Sequence, residues 1–224
     1  MAYRKTDGVE ATLLDKRNRI LAAARALVSD GGWPEVQVAH VASVAGLATG
    51  SVYRYFPSKT DLCVEVLAAV SQREVDVIGA IADAQDGQDR PRERLHTAVS
   101  TFVTRAMRNR RLAYALIAEP CDSAIDVARL AYRHAISRQI MQIVTDGQAS
   151  GDFRSDIEPT IAATIIVGGF MESLIGPLSP LNADFAAHGE AAPGAVASLA
   201  DQIAEACCAT VLTRGRGRFF HRCQ

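Results

Sequence analysis

Apolar residues recur at steps of three and four along almost the whole chain, and this spacing constrains the fold more than any other feature. The first such stripe begins after Asp15 and consists of Ile20, Ala23, Ala24, Leu27 and Val28. Alternating runs of Val, Ile and Thr bounded by turns, which predict strands, are nearly absent. The 224-residue sequence therefore predicts an all-α protein of about nine helices.

Glycine and proline divide this pattern into segments. Three short helices are expected in the first sixty residues: one from about residue 15 to Gly31, one over 38–45 that ends at Gly46, and one over 49–55 that ends before Pro57. Longer segments follow. They are expected at about 59–83, 91–109, 112–118, 122–150, 157–175 and 196–212, with a loop rich in Pro, Gly and Ala between the last two.

Charge excludes a uniformly basic surface. The chain has 24 Lys and Arg against 25 Asp and Glu, a formal net charge of -1. Residues 1–62 hold 8 basic against 6 acidic side chains, a net of +2, which leaves a net of -3 for the remainder. A nucleic-acid surface must therefore be local, and the N-terminal end is the favoured place.

Composition also limits location and cofactors. The longest uncharged stretch, Val36 to Tyr53, is too polar to span a membrane, and the charged first twenty residues hold no secretory signal, so a cytoplasmic protein is expected. No metal or other cofactor is expected, because no histidine lies at ligand spacing from a cysteine. The five cysteines are interpreted as free thiols: Cys63, Cys121, Cys207, Cys208 and Cys223.

The segment 38–55 has the form of a helix-turn-helix. Gly46 allows the tight turn, Leu47 points inward, and the second helix opens with Thr49, Gly50 and Ser51. The unpaired amides and positive dipole of a helix start favour phosphate or base edges. Tyr53, Arg54 and Tyr55 add hydroxyl donors and a guanidinium able to bind guanine at two points.

These residues resemble the TetR family of one-component transcriptional regulators at motif level over about residues 16–62. The resemblance implies a DNA-binding domain at 1–58 and a ligand-binding and dimerisation domain at 59–224. It also implies a homodimer that binds a double-stranded operator, a small-molecule effector and, most often, repression. The implied DNA contacts are Gln37, His40, Thr49, Gly50, Ser51, Tyr53, Arg54, Tyr55 and Lys59.

Two positions depart from the family pattern. Gln37 stands where Thr is usual and Ala48 where Ser is usual, so both helices of the motif lose a hydroxyl cap worth about 1 kcal/mol. Either the Gln37 amide binds phosphate or these helices fray slightly without DNA. Core packing is the preferred interpretation of Phe56, whereas for Tyr55 core packing and DNA contact are equally supported.

The last two helices are expected to form the dimer interface. Gly168 and Gly169 allow two helices to approach closely. The last helix carries an apolar seam that one copy is not expected to bury completely. Its members are Val196, Leu199, Ile203, Cys207 and Val211.

Inner helical stripes supply candidate contacts to a hydrophobic or amphipathic effector, each of which is also explained as plain core. They are Phe102, Tyr114, Ile117, Glu119, Tyr132 and Phe170. Glu119 draws attention because a carboxylate at a helix C-terminus opposes the dipole unless it meets water or a partner. The arginines of 105–111 form either a solvated face or a site for an anionic ligand group.

An enzyme is not expected, because no nucleophile elbow, phosphate loop or zinc-protease motif is present. The alternative is a helical ligand-binding or interaction protein that does not bind DNA specifically. The basic and aromatic tail, 214–222, is interpreted as disordered, with contact to nucleic acid or a membrane surface as the alternative.

Overall fold

A computed structural model of the chain describes residues 7–84, 90–182 and 193–213. Within these residues it contains nine α-helices and one 3-10 turn, Trp33–Glu35, and its strand pairing is an isolated bridge between Phe153 and Leu212. The all-α prediction is confirmed. The helices are α1 Asp7–Gly31, α2 Val38–Ala45, α3 Thr49–Tyr53, α4 Lys59–Ala82, α5 Pro91–Arg108, α6 Arg110–Ile117, α7 Ser123–Ser150, α8 Pro159–Leu178 and α9 Pro193–Ala209.

The helix bounds differ from expectation by two residues or more at α1, α3, α6, α8 and α9; α8 is Pro159–Leu178 instead of 157–175, and α9 is Pro193–Ala209 instead of 196–212. Helix α1 begins at Asp7 instead of about Asp15, and Leu14 in this added part is 58% exposed. No apolar stripe marked those turns. Helix α3 ends at Tyr53 instead of Tyr55, and Arg54 closes it with helical backbone angles.

The described residues form two compact units. The first comprises residues 7–74, 105–133 and 175–182, and the second comprises 75–84, 90–104, 134–174 and 193–213. Helix α4 contributes to both units, as do α5, α7 and α8. These units describe packing, so the proposed domain boundary between residues 58 and 59 remains a prediction.

The first unit is built on a core shared by α1 to α4, α6 and the start of α7. Its most buried large side chains include Ile20, Leu62 and Leu67. The predicted stripes of α1 and α2 face this core, and Trp33 fills the space beside them at 4% exposure. The three N-terminal helices therefore share one core with α6.

The second unit has its own buried side chains, among them Leu95, Ile140, Ile143 and Phe170. It also buries Arg94, whose guanidinium donates to the Ala82 carbonyl at 2.6 Å and to Asp146 at 2.9 Å. The last carbonyl of α4 is thus capped by the guanidinium of an α5 arginine, which the helix dipole also favours.

Helix α8 alone, among the described helices, is long and apolar enough to cross a membrane by length and composition. Its most apolar window has a mean hydropathy of 1.7, and 44% of that window is buried within the chain. The buried half, which includes Ile166, Phe170 and Leu174, accounts for much of that apolar composition as protein core. The exposed half requires a separate explanation.

Candidate nucleic-acid interface

The turn between α2 and α3 has the geometry that the sequence predicted. Gly46 adopts the left-handed conformation, with φ 65° and ψ 40°, and its amide donates to the carbonyls of Ala42 and Ser43. Leu47 donates its amide to the Ala42 carbonyl at 2.9 Å and packs its side chain against the core. This turn fixes the angle between the two helices.

Buried side chains hold the motif onto the first unit. Val41 and Ala42 of α2 and Val52 of α3 are each no more than 2% exposed. Phe56 is 3% exposed, so the preferred interpretation of that ring as core is confirmed. Arg19 of α1 adds a polar contact, since its guanidinium donates to the Ala45 carbonyl at 2.6 Å and thereby caps α2.

The outer surface of α3 is polar and unpartnered. Thr49, Gly50, Tyr53 and Arg54 are exposed, with Tyr53 at 51%. Within the described chain, these side chains form no hydrogen bond or ion pair. A Cβ built on Gly50 would meet no atom within 4 Å. Donors that the chain itself leaves unused are available to an external partner.

The other residues expected to contact DNA are less exposed or partly engaged. Ser51, Tyr55 and Lys59 are half-buried, and Tyr55 packs against the core. His40 is exposed, 4.0 Å from the Glu35 carboxylate. The structure thus places all these residues in one region of the chain, while their contacts to DNA remain predictions.

Neither helix of the motif has a side-chain cap, as the two departures implied. Gln37 and Ala48 are the N-cap residues, both with extended backbone, and neither accepts a capping hydrogen bond. The Gln37 amide nitrogen instead donates to the Pro34 carbonyl at 2.9 Å. By contrast, Ser58 and Asp61 bond reciprocally at the start of α4.

Sequence reasoning missed one exposed apolar residue on this surface. Val44 is 52% exposed on α2. It lies off the apolar stripe formed by Val41 and Ala45, and this mismatch was the available signal. An exposed methyl pair beside polar groups is suited to contact the methyl group of thymine.

The candidate effector contacts fall into two groups, one in each unit. In the second unit, the Phe102 and Phe170 rings lie 4.9 Å apart, both buried. In the first unit, Ile117 is buried, Tyr114 is half-buried and Tyr132 packs against the core. All of these positions are also explained as core, and their role in ligand binding remains a prediction.

Glu119 and the nearby arginines have partners within the chain. Glu119 pairs with Arg111 and accepts the Trp33 amide at 3.0 Å, so the carboxylate at the end of α6 is explained without a ligand. Arg105 forms a two-point pair with Glu74 at 2.7 and 2.8 Å. The anionic-ligand interpretation of these two arginines therefore has no support from the geometry.

The predicted seam on the last helix is largely covered by the chain itself. Ile203, Cys207 and Val211 are at most 8% exposed, whereas Val196 and Leu199 are half-buried. One copy therefore buries this seam incompletely, with Val196 and Leu199 left partly exposed, and its role in a dimer interface remains a prediction.

The described cysteines are free thiols. Burial raises the pKa of Cys63 to about 11, that of Cys207 to about 11 and that of Cys208 to about 12. Cys121 is half-buried, and its pKa is also raised by burial. Among the described residues, no three His, Cys, Asp or Glu are grouped to hold a metal ion. Cys223 and the basic tail lie outside the described residues.

Two family models match the chain. Residues 20–66 match the bacterial regulatory proteins of the tetR family, and residues 88–173 match the C-terminal domain of tetracyclin repressor-like proteins. The first match covers the helix-turn-helix, and together the two matches span more than half of the sequence.

Curated relatives and solved structures agree with the two family matches. The chain is 43% identical over 93 residues to the HTH-type transcriptional repressor KstR of Rhodococcus jostii, covering 42% of this chain and 41% of that one. It is 39% identical over 103 residues to KstR of Mycolicibacterium smegmatis, covering 46% and 48%. The chain thus matches less than half the length of these relatives.

The structure of the transcriptional regulator FadR from Bacillus subtilis, in complex with stearoyl-CoA, superposes with a TM-score of 0.70 at 17% identity. That superposition covers 86% of this chain and 97% of the other. At this identity the likeness concerns the fold. Combined with the family matches and the geometry of α2 and α3, it shows that the chain belongs to the TetR family of bacterial regulatory proteins.

Proposed function

We propose that this protein is a homodimeric, ligand-responsive transcriptional repressor that binds a palindromic DNA operator through α3. The observation that carries the proposal is the outer face of α3, where exposed polar side chains have no partner within the described chain. A short helix anchored by Val52 and Phe56 and presenting only unused donors has the form of a major-groove reader. The proposal includes no catalytic turnover.

Each exposed residue has a distinct role in this proposal. Arg54 reads guanine or binds phosphate, and Tyr53 donates its hydroxyl to the DNA backbone. Gly50 lets the helix backbone approach the duplex, because no described residue occupies the space of its missing Cβ. Lys59 and His40 contact flanking phosphates. We further propose that Val44 packs against a thymine methyl group.

The exposed face of α8 supports a homodimer. Ile161 and Ile165 are 54% and 52% exposed, and a Cβ on Gly168 or Gly169 would meet no atom within 4 Å. Each glycine costs about 1 kcal/mol relative to alanine within a helix, and packing against the described residues does not require either one. A second α8 at close approach would cover the isoleucines and use the glycines.

Effector binding is proposed to act through α4. This helix is continuous from Lys59 to Ala82, so a displacement of its distal turns is transmitted to the first turn beside α3. Half-sites one helical turn apart would then no longer fit the two copies of α3. An amphipathic effector is proposed, and acyl-CoA is the first class to test, since the FadR structure contains stearoyl-CoA. The proposed regulator is located in the cytoplasm, where its DNA operator lies.

The experiment is selection of bound fragments from the source genome, followed by mobility shift at several salt concentrations. A palindromic fragment bound by two copies, with affinity that falls steeply with salt, supports the proposal. Addition of acyl-CoAs of graded chain length then tests release. If no fragment is preferred over random competitor DNA, the protein is instead a ligand-binding module that has kept the fold.

A further inference from the structure

Helix α6 is joined to the connection between α1 and α2 by a closed chain of polar contacts. Arg111 donates to the Gly31 carbonyl at 2.5 Å and to the Glu119 carboxylate. The same carboxylate accepts the backbone amide of Trp33 at 3.0 Å. Both side chains come from α6 or its C-terminal flank, and their two backbone partners lie on either side of Gly32. We name this arrangement of Gly31, Trp33, Arg111 and Glu119 the α6 clamp.

The clamp satisfies groups that would otherwise be unpaired. The Gly31 carbonyl is the last of α1 and has no partner within that helix, and a guanidinium there is also favoured by the helix dipole. Two further contacts reinforce the clamp: the Trp33 indole donates to the Ala115 carbonyl at 2.9 Å, and Asn109 donates to Ser29 at 3.0 Å.

Gly32 has a backbone conformation and a lack of side chain that the clamp requires. Its φ of 86° and ψ of -164° lie in a region that residues other than glycine rarely adopt. A Cβ at this position would overlap the guanidinium of Arg111 and the carboxylate of Glu119. The connection therefore has one conformation that is compatible with the clamp.

We infer that Arg111 and Glu119 are positioning residues for operator binding, an inference that rests on the proposed function. In this inference they act through the backbone that connects α1 to α2, without contact to DNA or effector. They fix the path by which the chain leaves α1 and enters α2, and so set the position of α2 and α3 relative to α6. Helix α6 thereby holds the DNA-binding helices in a fixed orientation.

The clamp differs from a simple ion pair in a way that can be tested. Reversing a simple pair restores the attraction. Reversing Arg111 and Glu119 would point a carboxylate at the Gly31 carbonyl and a guanidinium at the Trp33 amide, so both backbone contacts would become repulsive. Arg105 and Glu74 provide the control, because their two hydrogen bonds join side chain to side chain; this pair is also part-buried, though more exposed than the clamp.

The experiment measures operator affinity of Arg111→Glu/Glu119→Arg and of Arg105→Glu/Glu74→Arg by mobility shift, with helicity checked by circular dichroism. We expect the clamp reversal to weaken binding about tenfold or more, and the control reversal to stay within about twofold. Trp33 is the chain's one tryptophan, so acrylamide quenching of its fluorescence should rise in the clamp reversal only.

A second pair keeps the test decisive if the reversed clamp does not fold. Glu119→Gln keeps an acceptor for the Trp33 amide and Glu119→Ala removes it, so the glutamine variant should bind the operator several-fold more tightly than the alanine variant. Equal affinity of these two, or full affinity of the reversed clamp, overturns the inference while the proposed function stands. If the parent protein prefers no DNA fragment, the proposed function fails and the inference with it.

Discussion

Two short helices of the first unit, α3 and α6, use their polar residues in opposite ways. Helix α3 has five residues, an uncapped start at Ala48 and an outer face without partners. Helix α6 has eight residues and a side-chain cap from Asn109; its Arg111 donates to the Gly31 carbonyl of α1, and its Leu116 carbonyl accepts from Arg129 of α7. Both are held by buried apolar residues on one side.

The difference indicates that the polar groups of α6 stabilise the fold, whereas those of α3 are available to bind a partner. Arg129 of α7 completes the contrast, because it donates to the carbonyls of Ala115, Leu116 and Glu119 at 2.8–3.2 Å at the end of α6. Most polar groups of α6 are thus bonded within the described chain, with Arg111 Nη1 as a buried exception, whereas the exposed side chains of α3 have no partner there. Four substitutions test this division.

Gly32→Ala should have the largest effect, on stability. The required backbone conformation and the collision with the α6 clamp together should cost about 3 kcal/mol of unfolding free energy, measured by urea denaturation. Gly151→Ala is the matched control, since Gly151 also has a positive φ, 82°, but its Cβ would meet nothing. A similar loss in both variants would mean that the clamp adds nothing to the cost of a side chain at position 32.

Arg54→Ala should come next, with its effect on DNA binding alone. Loss of one base or phosphate contact costs about 1–3 kcal/mol, a rise in operator Kd of about fivefold to 150-fold. Stability should be unchanged, because Arg54 is exposed and unpartnered within the described chain. Arg138→Ala, an exposed arginine of α7, should leave the affinity intact. Tight binding by Arg54→Ala would show that α3 does not read DNA as assigned.

Gly50→Ala should change folding stability and operator affinity in opposite directions. Removing a helical glycine should raise the unfolding free energy by up to about 1 kcal/mol, while the added methyl should weaken DNA binding by obstructing close approach. Gly194→Ala, at the second position of α9, should stabilise similarly without changing affinity. If Gly50→Ala binds the operator normally, the glycine is not reserved for the duplex.

Ala48→Ser should have the smallest effect. The residue already has the extended backbone of an N-cap, with φ -71° and ψ 144°, so a hydroxyl can bond an amide of the first turn of α3. We expect a gain of about 0.5–1 kcal/mol, seen as a higher melting temperature. No gain would indicate that the start of α3 is already held by its buried side chains.

The sequence predicted α2 to the residue because both of its ends are marked, by the apolar stripe and by Gly46. It also predicted the exposed face of α3. Val52 faces the core, and helical spacing then places Tyr53 and Arg54 on the outer side. It did not predict the clamp. Glu119 meets Trp33 across 86 positions of sequence, and no local pattern indicates a contact at that separation.

Burial of the thiols has a consequence for how the molecule responds to chemical stress. Peroxides and electrophiles react with the thiolate, and at neutral pH Cys63, Cys207 and Cys208 are almost wholly protonated. These three sulfurs are therefore poorly placed to react with oxidants, whereas Cys121 is only half-buried.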